Sequence, residues 1–220
     1  PAMTKALPAL KDSELQQNKN FAQVWAKATA DWEKKLSSGS YLSSHQAIAL
    51  LAYTMDELYE EFNAAVHEAG SSRQEYRDNF HFKALHFLLT QAMRRLREIQ
   101  GEQCQCLARG VRGVQFKAEP GDIVRFGQFM AMSLCEKFDA SGMDTVFYVG
   151  TCQGVDIRDF SSDPSKKQVL IPPFHTFKVN FIRKEGGPTQ IHLNASGTHS
   201  NYNCEWLQGD VTEGTTWGDG

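Results

Sequence analysis

The sequence predicts an α+β domain, and three observations carry that reading. The first hundred residues space their apolar side chains by three and four, as a helix face does. From Cys104 onward the chain changes to short alternating runs broken by Gly and Pro, as strands and turns do. Helical segments first and strands second indicate α+β rather than an alternating parallel fold. The 220 residues suffice for one full core. The domain is expected over 1–207, helical over 1–100 and β-rich over 104–207. Residues 208–220, rich in Gly, Thr and Asp, read as a frayed tail.

Phe21, Val24, Trp25, Ala28, Trp32 and Leu36 form the first helix face. A second helix is expected from His45 to about Phe62, with Ile48, Leu51, Met55, Leu58 and Phe62 on its buried side. Ser71-Ser72-Arg73-Gln74 has the form of a capping box, Ser71 as N-cap and Gln74 reaching back. The helix it opens carries Leu85, Leu88, Leu89, Ala92, Met93, Leu96 and Ile99 as its stripe. Strands are expected at Cys104–Arg109, Val114–Phe116, Ile123–Phe126, Thr145–Thr151, Val169–Ile171, Thr176–Ile182, Gln190–Leu193 and Asn201–Trp206.

Composition narrows the function classes. With 23 basic and 26 acidic residues the net charge is -3, which gives no reason to expect nucleic acid or an anionic membrane as partner. No apolar run reaches the ~18 residues that cross a bilayer. Pro1 begins directly on polar helical sequence, so the chain reads as an excised mature domain without a leader. Five cysteines point to an oxidising compartment, none in a Cys-x-x-Cys pair, and seven scattered histidines give no metal site. Asn194-Ala195-Ser196 is a glycosylation sequon and fits a secreted glycoprotein.

Three segments stand apart from this frame: Arg109-Gly110, the run Arg125-Phe126-Gly127-Gln128-Phe129-Met130-Ala131-Met132-Ser133-Leu134, and Lys166-Lys167-Gln168-Val169-Leu170-Ile171-Pro172-Pro173. With Ala49–Thr54, Phe80–Thr90, Thr151–Gly154 and His199–Glu205, their order and spacing resemble the vertebrate arginine-specific mono-ADP-ribosyltransferases, ectoenzymes that use NAD. The resemblance reaches about Leu207. It implies a helical N-terminal part on a split β-sandwich, NAD as substrate, an arginine-bearing protein as acceptor, and a secreted or lipid-anchored place at the cell surface. It implies no metal.

The family marks its site by an Arg, a Phe-x-Ser-x-Ser-Leu run, and Glu-x-Glu before Val-Leu-Ile-Pro. Arg109 matches the Arg, a guanidinium fork suited to pyrophosphate. Gly110 and Gln128 fall beside NAD by the same match. The first serine falls on Ala131 and the second on Ser133, which either substitutes or points into the core. Tyr53 either lines the cleft or is an ordinary buried tyrosine, and Ser161 is a further candidate contact. The catalytic glutamate position is Gln168, and the acceptor-recognising glutamate position is Lys166, followed by Lys167.

Breaking the nicotinamide–ribose bond is glycoside chemistry, in which a carboxylate offsets an oxocarbenium-like centre. A neutral amide at 168 lacks that charge, and Lys166 repels an incoming arginine. Asp156, Asp159 and Asp163 in the same loop are the acids available to swing in. Three readings stand: an active arginine transferase or NAD glycohydrolase, whether fast or slow; a pseudoenzyme that keeps the NAD cleft as a binding module; and a surface recognition protein on the same fold that no longer binds NAD. By the family register Cys104 pairs with Cys152. Cys204 pairs with a cysteine preceding Pro1, and Cys106 with Cys135 remain as buried free thiols.

Overall fold

Helix caps and side-chain spacing set out the first half of the chain, and strand register sets out the second. The computed structural model describes residues 2–35, 41–114, 116–184 and 186–198. Helix α1 (Ala2–Gln17) leads into α2 (Lys19–Lys35), which buries Phe21, Val24, Trp25, Ala28 and Trp32 as their spacing requires. Ser43 opens α3 (Ser44–Tyr53) with a capping box: its hydroxyl accepts from the Gln46 N–H at 3.3 Å, and Gln46 Oε1 accepts from the Ser43 N–H at 3.1 Å.

The single helix expected from His45 to Phe62 is two. Thr54 closes α3 with its N–H on Leu50 O and its hydroxyl on Leu51 O, Met55 is extended, and α4 (Asp56–Ala69) restarts with Asp56 and Glu57 in its first turn. Those carboxylates suit the positive end of the helix dipole. The next cap lies one residue later than expected. Ser72, not Ser71, accepts from Glu75 N at 3.0 Å and opens the short α5 (Arg73–Asp78).

A separate helix, α6 (Lys83–Gln100), carries the Leu85–Leu96 stripe; Ile99 at its end is 40% exposed rather than buried. Its first turn is capped from a distance. The buried Glu14 carboxylate of α1 accepts from the N–H groups of Lys83 at 2.7 Å and Ala84 at 2.9 Å. Burial raises the Glu14 pKa, and those two N–H groups oppose the rise.

The strands are β1 (Gln105–Val111), β2 (Ile123–Val124), β3 (Met130–Leu134), β4 (Thr145–Thr151), β5 (Val155–Asp156), β6 (Val169–Ile171), β7 (His175–Arg183) and β8 (Thr189–Thr198). They pair in the order β2-β7-β8-β4-β1-β3-β6-β5; β4 and β8 run parallel and the other neighbours antiparallel. Val114 and Phe116 lie outside any strand and are 44% and 43% exposed, against expectation. The expected strand Asn201–Trp206 and the tail lie outside the described residues.

Strand β3 escapes an alternation test because both its faces are covered. Ala131 packs into the helical core with Phe129 and Leu170, whereas Met130 and Met132 pack into a second core with Leu107, Phe147, Val149 and Phe177. One half of the sheet (β3-β6-β5) therefore lies beneath the helices, and β1 joins it to the other half. Beside the join the structure corrects the cysteine reading. Cys104 bridges Cys152, and Cys106 bridges Cys135 instead of remaining a thiol, with Cα atoms 5.4 Å apart. The register explains the second bridge: Ala108 faces Ser133 and Leu107 faces Leu134, so the next pair outward is Cys106 and Cys135. Cys106 is also exposed rather than buried.

Candidate functional site

Pairing between β1 and β3 stops at Ala108–Ser133, and Arg109 is the next residue of β1. Where the strands part, its half-buried guanidinium enters the gap. Nη1 donates to the carbonyl oxygen of Ala131 at 2.8 Å, and Cζ lies 5.3 Å from the ring centre of Tyr59. One main-chain bond and one aromatic face thus orient the cation, a partly solvated cation–π contact of about 1 kcal/mol.

Strand β6 brings the third segment alongside. Ala131 faces Leu170 and Met132 faces Val169, so continuing the register sets Gln168 beside Ser133. Gln168 is half-buried, and its carbonyl accepts from Ile157 N at 3.1 Å. The three sequence segments that carry Arg109, Ala131, Ser133 and Gln168 therefore meet on adjacent strands. Gly110 is held for packing, since a Cβ there would approach Met143 Sδ to 2.6 Å.

The loop before β6 is tied to the helices. Ser162 N donates to Thr54 Oγ1 at 2.9 Å, Ser162 Oγ donates to Thr54 O at 3.0 Å, and Lys35 Nζ donates to Ser161 O at 3.1 Å. Ser161 is buried and serves the loop itself, its hydroxyl bonding Asp163 O and N. Lys166 ends a short 3-10 turn and lies exposed, its Nζ 4.0 Å from Asp163 Oδ2. Lys167 is exposed and left-handed, with φ of 47°, where it caps that turn.

Two of the three loop acids are committed. Asp156 accepts from Arg158 N at 2.8 Å and Arg158 Nη2 at 3.0 Å. Asp163 accepts from Ser165 N at 3.1 Å and Ser165 Oγ at 2.5 Å, bonds that hold its pKa below the usual carboxylate range. Asp159 sits exposed on the Arg158–Phe160 turn.

Tyr53 does not line the site. It is fully buried, with its hydroxyl donating to Phe129 O at 3.1 Å and its pKa pushed well up by that burial. The tyrosine that meets Arg109 is Tyr59, one helix later. Asn63 Nδ2 approaches the Tyr53 hydroxyl at 3.5 Å from the same helix. Gln128 is half-buried, its amide 3.3 Å from Met130 Sδ. His86 stands against the Phe129 ring at 5.3 Å, and burial lowers its pKa to about 4. Tyr59 sits at i+3 from Asp56 in a helix read as core, so nothing in the linear pattern separates it from its apolar neighbours. Among the described residues no group of His, Cys, Asp and Glu is placed to hold a metal ion.

The family model described as NAD:arginine ADP-ribosyltransferase matches residues 1–201. The erythroblast NAD(P)(+)–arginine ADP-ribosyltransferase of Gallus gallus is 44% identical over 211 residues, covering 90% of this chain and 70% of its own. The GPI-linked NAD(P)(+)–arginine ADP-ribosyltransferase 1 of Mus musculus is 45% identical over 223 residues, covering 94% and 68%. Among solved structures, a variant of the eukaryotic mono-ADP-ribosyltransferase ART2.2 in complex with NAD superposes with a TM-score of 0.78 at 32% identity, over 92% of this chain and 90% of that one. Segment order, strand register and these likenesses agree: the chain belongs to the NAD:arginine ADP-ribosyltransferase family.

Proposed function

We propose that this chain binds NAD at the Arg109–Ser133–Gln168 site and transfers ADP-ribose to arginine far more slowly than a family member with a carboxylate at 168. The observation that carries the reading is the pairing of a neutral Gln168 with Asp156 and Asp163 already bound to Arg158 and Ser165. In the reaction the bond between nicotinamide nitrogen and ribose C1′ breaks, nicotinamide leaves, and an acceptor guanidinium nitrogen bonds C1′ as it loses a proton. Positive charge builds on the ribose before the new bond forms, so an anion is required there. Losing a positioned acid–base group costs about 10²–10⁴ in rate.

Arg109 supports binding, because its fork retains donors beyond the one given to Ala131 O. Gln168 retains a ribose-bonding amide. A solved ART2.2 variant with one glutamate replaced by isoleucine still forms an NAD complex. Lys166 opposes the acceptor: at 4 Å and an effective dielectric near 20 it repels a guanidinium by up to about 4 kcal/mol, less where solvent screens the pair. Placement outside the cell agrees with two disulfides and with relatives described as GPI-linked.

The test is incubation with labelled NAD and an arginine-rich acceptor, for the native chain, Gln168→Glu, and Lys166→Glu with Gln168→Glu. The expected result is weak labelling by the native chain and a gain of at least 100-fold, about the lower bound for an acid–base group, in the double variant. Rapid labelling by the native chain, or no gain in the double variant while NAD still binds, overturns the reading.

A further inference from the structure

The outer face of the β7–β8–β4 sheet carries a stack of rings that the NAD site does not use. His192 pairs with Phe181 on one side and Tyr148 on the other. The Phe181 and His192 centroids lie 4.0 Å apart at 18°, and those of Tyr148 and His192 lie 4.9 Å apart at 19°. Phe181 remains 47% exposed. Its position is a product of a bulge. Phe177 and Val179 point into the second core, and strict alternation would send Phe181 the same way. The register shift between Val179 and Phe181 turns it outward onto His192.

Two residues from His192, on the same face of β8, lies Asn194, exposed and first residue of Asn194-Ala195-Ser196. No other Asn-x-Ser/Thr triplet occurs in the sequence. Its strand neighbour on β4 is Gly150, and a Cβ there would come 2.7 Å from Asn194 Oδ1. Glycine at 150 thus leaves the room that the Asn194 amide occupies. The Ser196 hydroxyl bonds Thr176 Oγ1 at 3.1 Å in the folded chain, a bond that does not exist while an unfolded chain is being modified.

We propose that Asn194 is N-glycosylated and that the first sugars of the glycan rest on the Phe181–His192–Tyr148 stack. The modification forms a bond between Asn194 Nδ2 and C1 of a sugar. The donor is a lipid-pyrophosphate-linked oligosaccharide: its C1–O bond breaks, the lipid pyrophosphate leaves, and Nδ2 gives up a proton to the transferase. A pyranose ring presents C–H groups on one face and hydroxyls at its rim, which suits an exposed aromatic face beside a polar sheet. The proposal depends on passage through the secretory pathway and not on the state of the NAD site.

The chain is expressed behind a secretory leader in mammalian cells and weighed intact before and after peptide N-glycosidase, which acts on folded protein and avoids any folding defect of Asn194→Gln. A mass loss of glycan size is expected, absent from Ser196→Ala. Glycan removal is expected to lower Tm by about 2–4 °C in the native sequence, roughly the shift of one modest contact in a domain of this size. In Phe181→Thr, a surface change on a strand, that gap closes. Unmodified Asn194 in the secreted chain overturns the proposal. An equal Tm gap with and without Phe181 overturns the stacking.

Discussion

Arg109 donates from Nη1 to the carbonyl oxygen of Ala131 at 2.8 Å. The position where the resemblance calls for a serine therefore still holds the arginine, through its main chain. Loss of the hydroxyl at 131 and retention of the arginine geometry are separable, and this separation shapes the first prediction.

Arg109→Lys keeps the charge but loses the fork and its second donor. NAD affinity is expected to fall about 10- to 100-fold, the worth of one to two charged hydrogen bonds. Titration calorimetry with NAD measures this. An unchanged affinity removes Arg109 from the binding site.

Tyr59→Leu removes the aromatic face beneath the guanidinium, whereas Tyr59→Phe keeps it. The leucine variant is expected to weaken NAD binding about 2- to 5-fold, and the phenylalanine variant to match the native chain. Parallel NAD titrations decide it. Equal losses in both variants point to the hydroxyl instead of the ring.

Both disulfides close long loops, with sequence separations of 48 for Cys104–Cys152 and 29 for Cys106–Cys135. Replacing Cys106 and Cys135 together by serine is expected to cost about 3–4 kcal/mol by the chain-entropy model. Thermal unfolding then falls by roughly 6–16 °C for a domain of this size. Alkylation without reduction is expected to leave Cys104, Cys106, Cys135 and Cys152 unmodified.

Burial holds His86 and His175 at pKa values of about 4, with Arg97 adding to the effect at His175. The sign follows from their depressed folded values. Above pH 6.5 both states are neutral and the two histidines leave stability unchanged. Between 6.5 and 4 the unfolded chain takes protons that the folded chain refuses, so stability falls with pH. For each histidine the displacement from 6.5 to about 4 corresponds to about 3 kcal/mol. Urea unfolding across pH 7 to 4 measures it, and His86→Phe is expected to flatten the slope.

The register of β3 shows where linear reading stops. Val169–Ile171 and Thr145–Thr151 are legible because each is a short β-branched run with clear ends. Met130–Leu134 is not, since two cores cover its two faces and erase the alternation. The split between α3 and α4 at Thr54–Met55 is equally hidden: the apolar stripe continues through Met55 although the backbone does not. At the site, motif order brought out Arg109, Ala131, Ser133 and Gln168, whereas Tyr59 carries no local mark.

By itself the sequence determined the helical half, the strand-rich half, the family, the Cys104–Cys152 bridge and the missing carboxylate at 168. The two halves rest on local spacing; the family, the bridge and the position of the carboxylate rest on motif order and the resemblance it carries. Only the tertiary structure decided that Cys106 meets Cys135, that Tyr59 and not Tyr53 faces Arg109, that Asp156 and Asp163 are already bound, and that a bulge turns Phe181 outward. Each of those depends on cross-strand register or on which side of a helix meets a strand. Such relations join residues far apart in the chain, and near neighbours do not encode them.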